Sequence, residues 1–182
     1  MILETERMIL RPWEEEDAED LYKYASNPEV GPAAGWPVHT SVENSRAVIR
    51  EVFSAPETYA VVLKETGHPV GCIGLLIGKA SNFGIPDTEG EIGYWIGVPF
   101  WGQGLIPEAV QEMLRYGFEE LKLKKIWCGY FDNNVKSKRV QEKCGFRYHH
   151  SNKDVYWELT DDIRTEHVSC LTEEEWKNRR KP

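Results

Sequence analysis

The chain has 182 residues, of which 41% are hydrophobic and 29% are charged, and its formal net charge is -8. This length favours one domain with a sizeable core, so we expect a single domain over residues 1–182. The acidic balance argues against a nucleic-acid partner, which requires a basic surface, and leaves room for cationic partners such as amines.

Cysteine spacing and hydropathy indicate whether the protein binds a metal and where in the cell it is expected. The four cysteines show no CxxC spacing and no nearby histidine pair, so we expect buried free thiols and no metal site. No stretch approaches the roughly 18 apolar residues of a membrane span, and the N-terminal residues lack the pattern of a secretory signal. We therefore expect a cytoplasmic protein without a membrane partner, as a monomer or a homodimer.

Turn and cap signals divide the first half of the chain into strands and helices. Pro12 ends the first strand, and the acidic residues 14–17 suit the positive end of a helix dipole. Ser41 is a typical helix N-cap residue. The predicted elements are a strand at 6–11, a helix ending near residue 25, an irregular loop at 30–41, a helix ending near residue 54, and a hairpin with strands at 58–63 and 70–77.

The second half of the chain alternates strands with helices. Apolar residues with helical periodicity follow a glycine-containing strand, and Gly145 stands where a glycine commonly ends a helix. The predicted elements are a strand at 90–98, an amphipathic helix at 107–121, a strand at 124–131, a helix at 135–143, a strand at 146–151, a further strand near 154–159 or 165–170, and a helix at 172–179. The order predicts a mixed α/β or α+β sheet rather than a doubly wound one.

The stretch WGQGLIPEA at 101–109 opens the helix that follows the strand at 90–98. A bare loop between a strand and a helix brings main-chain N–H groups to the positive end of a helix dipole, which suits a phosphate. Gly102 and Gly104 allow the main chain to come close to such an anion. The alternative is a plain tight turn, because the stretch lacks both the GK[ST] of a P-loop and the third glycine of a dinucleotide fingerprint.

A second polar stretch, DNNVKSKRV at 132–140, follows the strand at 124–131. If this strand neighbours the strand at 90–98, the polar side chains lie beside the glycine loop. Simple helix capping by Asn133 or Asn134 is the alternative. Gly93 and Gly97 favour a ligand site, because glycines inside a strand often mark the close approach of a ligand.

Four stretches together resemble the GNAT (Gcn5-related N-acetyltransferase) superfamily, and within it the branch of RimJ/RimL-like ribosomal-protein N-acetyltransferases. They are TERMILRPWEEEDAEDLY, EIGYWIGVPFWGQGLIPEAVQEMLRYGFEEL, NNVKSKRVQEKCGF and LTEEEW, and they span nearly the whole chain. The resemblance implies acetyl transfer from acetyl-CoA to a primary amine, either a protein N-terminus or a small molecule. It also implies a mixed, mostly antiparallel sheet of six or seven strands, flanked by helices, with a splayed pair at 90–98 and 124–131.

The resemblance implies roles for individual residues. Glu91 is expected to act as the general base toward the amine, and Ser137 as the proton donor to the CoA sulfur. Trp36, His39 and Tyr94 are expected to contact the acceptor. For Glu91, Trp36 and His39 the alternative is a purely structural role. The residues expected to bind acetyl-CoA are Ile96, Gly97, Val98, Trp101, Gly102, Gln103, Gly104, Leu105, Ile106, Asn134 and Ser137.

The sequence departs from the family pattern at three positions. Ile106 is bulkier than the Ala expected there, and Pro107 replaces a common Thr. Many members carry a Tyr four residues after the serine as the acid for the leaving thiolate, whereas this chain has Gln141. Gln141 and Ile106 leave one alternative open, a non-catalytic acyl-CoA-binding or sensing protein with the same fold. A further alternative, an unrelated phosphate-binding protein with a chance glycine turn, is opposed by the joint NNVKS…GF block.

Overall fold

The computed structural model describes residues 1–179, and in that range eight strands form one sheet. The strands are β1 (Leu3–Glu4), β2 (Met8–Arg11), β3 (Thr58–Leu63), β4 (Pro69–Ile77), β5 (Glu89–Ile96), β6 (Lys125–Phe131), β7 (Arg147–Trp157) and β8 (Asp162–Thr172). Their order is β1-β2-β3-β4-β5-β6-β8-β7, and β5 and β6 are the one parallel pair of neighbours among the described residues. The mixed, mostly antiparallel sheet confirms the predicted fold class, with more strands than the six or seven expected.

Helices cover both faces of this sheet. Within residues 1–179 they are α1 (Ala18–Ala25), α2 (Gly31–Ala34), α3 (Val42–Val48), α4 (Leu105–Arg115), α5 (Val135–Cys144) and α6 (Glu173–Arg179). π-Helical turns extend α3 through Ile49–Phe53 and α4 through Tyr116–Glu120. The loop predicted at 30–41 contains the short α2, which begins with a glycine and a proline and ends at Gly35 in the left-handed conformation. No helix in the described range is long and apolar enough to cross a membrane.

Each face of the sheet carries its own hydrophobic core. On one face, called the α4 face, Ile92 and Met113 belong to a core that includes residues of α4, α5 and α6. On the other, called the α1 face, Leu21 belongs to a core with residues of α1 and of the turn after α3. Because side chains alternate along a strand, neighbours on β5 serve different faces. Tyr94 packs against the core of the α4 face, and Trp95 lies in the core of the α1 face.

The C-terminal hairpin differs from the prediction. The strand expected at 146–151 extends as β7 to Trp157, and β8 covers 162–172, so neither alternative range for the last strand had correct bounds. β8 lies next to β6, and β7 forms the edge of the sheet. Tyr156 and Ile163 are exposed near the tip of the hairpin. Because these apolar residues are exposed, this part of the hairpin lacks the alternation of buried apolar and exposed polar residues that marks a half-buried strand in a sequence.

The cysteines are free thiols, as predicted, but the predicted burial holds for only three of the four. Cys72, Cys128 and Cys144 are buried, whereas Cys170 on β8 is partly exposed. Among residues 1–179 no three His, Cys, Asp or Glu side chains cluster as a metal site requires.

The parallel pair of β5 and β6 separates halfway along its length. The last residue pair joins Ile92 to Cys128. Beyond it, β5 continues to Ile96 along β4, and β6 continues to Phe131 along β8. A wedge-shaped gap therefore opens toward the C-terminal ends of both strands, as the resemblance implied. The loops that lead to α4 and α5 begin at its wide end.

Candidate active site

The glycine loop between β5 and α4 has a main-chain conformation that glycine adopts most readily. Gly102 and Gly104 have φ angles of 73° and 75°, in the left-handed region where a β-carbon is strained. Within the part of the chain described, the N–H groups of residues 102–106 donate no hydrogen bond. These neighbouring amides therefore remain available at the start of α4, where the helix dipole adds positive partial charge.

The helix after this loop begins two residues before Pro107, where the sequence predicted its start. Gly104 precedes α4 and Leu105 is its first residue, so Pro107 stands third. A missing N–H costs no helix bond there, because the first N–H groups of a helix have no partner within it. The Ile106 side chain is buried in the core of the α4 face. This departure from the family pattern is therefore accommodated inside the protein, and the amide of Ile106 remains unbonded.

Cationic side chains surround the glycine loop although the protein is acidic overall. The Nζ atom of Lys136 lies 3.2 Å from the ring centre of Trp101. A β-carbon on Gly104 would lie 3.6 Å from Nη2 of Arg7 and 4.0 Å from Nζ of Lys143. These cations come from the N-terminal segment and from α5. Arg7 is already paired with Glu108 at 2.7 Å, so Lys136 and Lys143 supply the charge that makes the loop attractive to an anion.

The remaining residues predicted to bind the coenzyme also lie at the wide end of the gap. Residues 96–98 end β5 and lead into the loop. The carbonyl of Ile96 accepts a hydrogen bond of 3.0 Å from the indole of Trp101. The side chain of Gln103 donates to the carbonyl of Pro99 at 3.0 Å. These bonds fix the shape of the loop without using its free amides.

Asn134 and Ser137 stand at the start of α5. The Oδ1 atom of Asn134 accepts a hydrogen bond from the N–H of Ser137 at 3.2 Å, so Asn134 does cap the helix. Its Nδ2 donates to the carbonyl of Ala33 in α2 at 3.2 Å. Since Lys136 in the same turn contacts Trp101, this turn and the glycine loop lie together at the wide end of the gap.

Ser137 belongs to a cluster of polar side chains on the α4 face. Its Oγ lies 2.8 Å from the hydroxyl oxygen of Tyr94 and 3.5 Å from Nε2 of Gln141. The same Nε2 donates to the carbonyl of Gly129 on β6 at 3.0 Å. Burial raises the pKa of Tyr94 well above its usual value, so the phenol keeps its proton. The cluster thus holds hydroxyl protons beside the gap.

Glu91 lies on the α1 face, next to the point where the strands separate. Its Oε2 accepts hydrogen bonds from the hydroxyl of Ser81 at 2.7 Å and from the N–H of Asn82 at 3.0 Å. Burial raises the pKa of Glu91, and these two bonds act in the opposite direction. Among residues 1–179 no donor contacts its other oxygen, Oε1. Glu91 is therefore a fixed carboxylate with one oxygen unused.

Trp36 and His39 lie together on the α1 face. Their ring centres are 5.2 Å apart, and Trp36 also contacts Trp95 at 5.5 Å. The Nδ1 of His39 lies 2.8 Å from Oγ of Ser45. Burial lowers the pKa of His39, which favours a neutral ring. Since Tyr94 serves the opposite face, the structure does not bring the three predicted acceptor residues together.

Glu166 on β8 is a candidate that the sequence analysis missed. A side chain on Gly129 of β6 would overlap Oε1 of Glu166, so the carboxylate occupies the space above this glycine. Burial and the charge of Glu91 raise the pKa of Glu166 to about 7. No local motif marks Glu166, because its position depends on β8 lying next to β6.

Several known proteins that resemble this chain are acetyltransferases by name or family. Residues 7–147 match the family described as acetyltransferase (GNAT) domain. An uncharacterised N-acetyltransferase of Bacillus licheniformis, p20, is 32% identical over 150 residues, which cover 80% of this chain and 82% of that protein. A GNAT-family acetyltransferase structure from Bacillus anthracis is 27% identical, with a TM-score of 0.83 over 96% of this chain and 100% of that chain. Mycobacterium smegmatis RimJ in complex with CoA-disulfide shares the fold, with a TM-score of 0.76 and 20% identity over 96% of this chain and 88% of that one.

Proposed function

The chain belongs to the GNAT acetyltransferase family, and on this basis we propose that it transfers the acetyl group of acetyl-CoA to a primary amine. The amine is a protein N-terminus or a small molecule, and it attacks the thioester directly in a ternary complex. The observation that carries the proposal is the gap between β5 and β6 with the unbonded amides of the glycine loop at its wide end.

The glycine loop binds the pyrophosphate of the coenzyme in this proposal. The amides of residues 102–106 and the dipole of α4 supply donors and positive partial charge. Lys136 and Lys143 add full charges beside them. The pantetheine arm then lies in the gap, where β5 offers main-chain groups that β6 does not use. The residues present therefore suit acetyl-CoA in both charge and shape.

The amine and the coenzyme meet from opposite faces of the sheet. Glu91 lies on the α1 face, whereas Ser137 and Tyr94 lie on the α4 face. An amine is protonated at neutral pH, so a carboxylate on the α1 face takes one proton before the nitrogen can attack. Glu91 is the carboxylate predicted for this side.

The neutral amine nitrogen then forms a bond to the acetyl carbon, and the N–H of Ile96 stabilises the negative oxygen that develops. As the carbon–sulfur bond breaks, Ser137 donates a proton to the sulfur, and the second proton of the nitrogen leaves to solvent. Ser137 then regains a proton from solvent, while the hydroxyl of Tyr94, which keeps its own proton, orients Oγ of Ser137 from 2.8 Å. Gln141 is then not required as an acid.

An assay of CoA release tests this proposal. The protein is incubated with acetyl-CoA and, separately, with spermidine, tryptamine, and peptides that begin with Ser or Ala. We expect thiol release that depends on an amine and a product heavier by one acetyl group. We further expect Glu91→Gln to lose transfer while it still binds acetyl-CoA.

Two other results would have distinct meanings. Acetyl-CoA binding without transfer to any amine would favour a non-catalytic acyl-CoA-binding protein, the alternative that Gln141 and Ile106 leave open. Absence of acetyl-CoA binding would overturn the proposal.

A further inference from the structure

An opening on the α1 face lies beside the last residue pair of β5 and β6. Gly93 follows this pair on β5 and is exposed although its strand is central. No atom lies within 4 Å of the position that its β-carbon would take. Gly129 follows the same pair on β6. Gly93 therefore leaves a space through which a ligand can reach the gap, whereas the corresponding space at Gly129 is filled by Glu166 and Phe83.

Two carboxylates flank this opening. Glu91 precedes the last pair on β5, and Glu166 lies against Gly129 on the other side. Burial raises the pKa of the Cys128 thiol, a member of that pair, and the charges of Glu91 and Glu166 raise it further. A β-carbon on Gly129 would also lie 3.1 Å from the ring of Phe83, so an aromatic ring covers the same space. The opening is therefore acidic and partly aromatic, as suits a cation.

The two carboxylates differ in how they are held. Two hydrogen bonds from residues 81–82 fix one oxygen of Glu91. The carboxylate of Glu166 has neither a hydrogen-bond donor nor a cationic partner within the described chain. Arg164, on the same strand, is paired with Asp162 at 2.8 Å. Glu166 therefore faces the negative charge of Glu91 without compensation, and its pKa of about 7 suits a general base near neutral pH.

A buried acceptor without a donor borders the gap from the α4 face. The side chain of Gln141 is almost fully buried, at 1% exposure, and its Nε2 bonds to the carbonyl of Gly129. Its Oε1 is buried with no hydrogen-bond partner. Such groups are costly in a folded protein. A ligand N–H group that enters the gap beside Gly129 would supply the missing donor.

We propose that Glu91 and Glu166 form a pair that receives the acceptor's ammonium group beside Gly93, and that Glu166, in place of the Glu91 expected from the sequence, takes its proton. This inference rests on the proposed acetyl transfer and makes the acceptor a cationic primary amine. One N–H bond of the ammonium breaks and its proton moves to an oxygen of Glu166. The electron pair left on the nitrogen then forms the bond to the acetyl carbon. Glu91, held by Ser81 and Asn82, attracts the cation.

The pH profile of Glu166→Gln tests this role. With one of the amines from the CoA-release assay as acceptor, we expect wild-type kcat/KM to rise as the pH increases through about 7, because Glu166 loses its proton near that pH. Glu166→Gln should lower kcat/KM about 100-fold and abolish this rise. Glu158→Gln, an exposed glutamate in the turn between β7 and β8, is the matched control and should behave like wild type. A Glu166→Gln profile that matches wild type would overturn the inference.

A binding measurement tests the pair without any acceptor turnover. Protein labelled with carbon-13 at the glutamate carboxyl groups is saturated with acetyl-CoA and titrated with n-butylammonium chloride, with n-butanol as the neutral control. We expect the signals of Glu91 and Glu166, assigned from their Gln variants, to move with the cation alone. Signals that stay in place, or that move equally with the alcohol, would contradict the pair.

Calorimetry with acetyl-CoA separates the two possible failures. If Glu166→Gln binds acetyl-CoA and transfers acetyl groups like wild type, the inference fails while the proposed function stands. If wild type does not bind acetyl-CoA, the proposed function fails first.

Discussion

The glycine loop and the α1-face opening are built in different ways. The loop, residues 101–106, is one continuous stretch whose properties come from main-chain amides and two positive φ angles. The opening is lined by side chains from distant segments, with Glu91 on β5 and Glu166 on β8. A site made of consecutive main chain leaves a mark in the sequence. A site assembled from separate strands becomes visible only when the strand order is known.

Filling the opening at Gly93 should have the largest effect on the reaction with the amine while leaving the glycine loop's binding of acetyl-CoA unchanged. In Gly93→Val, the branched side chain suits a strand and enters open space. We expect unchanged affinity for acetyl-CoA, because the glycine loop is intact, and a fall in kcat/KM for the amine of about 100-fold, because the amine is displaced. Calorimetry and thiol release measure the two effects.

Gly74→Ala is the control for this change, since Gly74 pairs with Gly93 on the neighbouring β4. It should leave both quantities unchanged. A loss of acetyl-CoA affinity in Gly93→Val that matches its loss of transfer would show that the two regions are not separable.

Removing the hydroxyl of Ser137 should have a smaller effect. Ser137→Ala leaves Tyr94 and its proton in place, and a thiolate leaves readily. We therefore expect kcat to fall about 10-fold, less than the roughly 100-fold or more that general acids often contribute. Acetyl-CoA affinity should change little. A wild-type kcat in Ser137→Ala would remove Ser137 from the list of proton donors.

His39 should affect stability rather than rate. Its pKa is lowered by burial in the folded protein, so the unfolded chain binds a proton that the folded protein does not. Its contribution to the free energy of unfolding is therefore greatest above the unfolded pKa of about 6.5 and declines as the pH falls toward the folded value. We expect His39→Gln to weaken this pH dependence in urea unfolding. A large loss of transfer rate would instead assign His39 to the reaction.

Local backbone demands explain what could be predicted from the sequence. Gly104, Gly145 and Asn134 mark helix ends because their positions need a left-handed conformation or a capping oxygen. The alternation of side chains along a strand accounts for Tyr94 and Trp95 lying on opposite faces. The same local signals located the strands on both sides of the gap and the helices that follow them.

Contacts between distant segments explain what was missed. The contact between Glu166 and Gly129 requires β8 beside β6, and the exposed residues of the hairpin hide the true length of β7 and β8. The link between Tyr94 and Ser137 depends on how α5 packs against β5. Neither spacing nor composition encodes such contacts locally.

The most direct test of the account is the calorimetric titration of acetyl-CoA into wild type and Gly104→Trp. Gly67→Trp is the matched control, because Gly67 also has a positive φ, of 73°, and open surroundings, but lies in the turn between β3 and β4. Both variants carry a similar backbone strain of about 1–2 kcal/mol. We predict clear binding by wild type and Gly67→Trp, and binding at least about 100-fold weaker in Gly104→Trp, since two lost charge-assisted hydrogen bonds account for that factor. Equal affinity in all three proteins, or no binding by wild type, would contradict the assignment of the glycine loop as the coenzyme site.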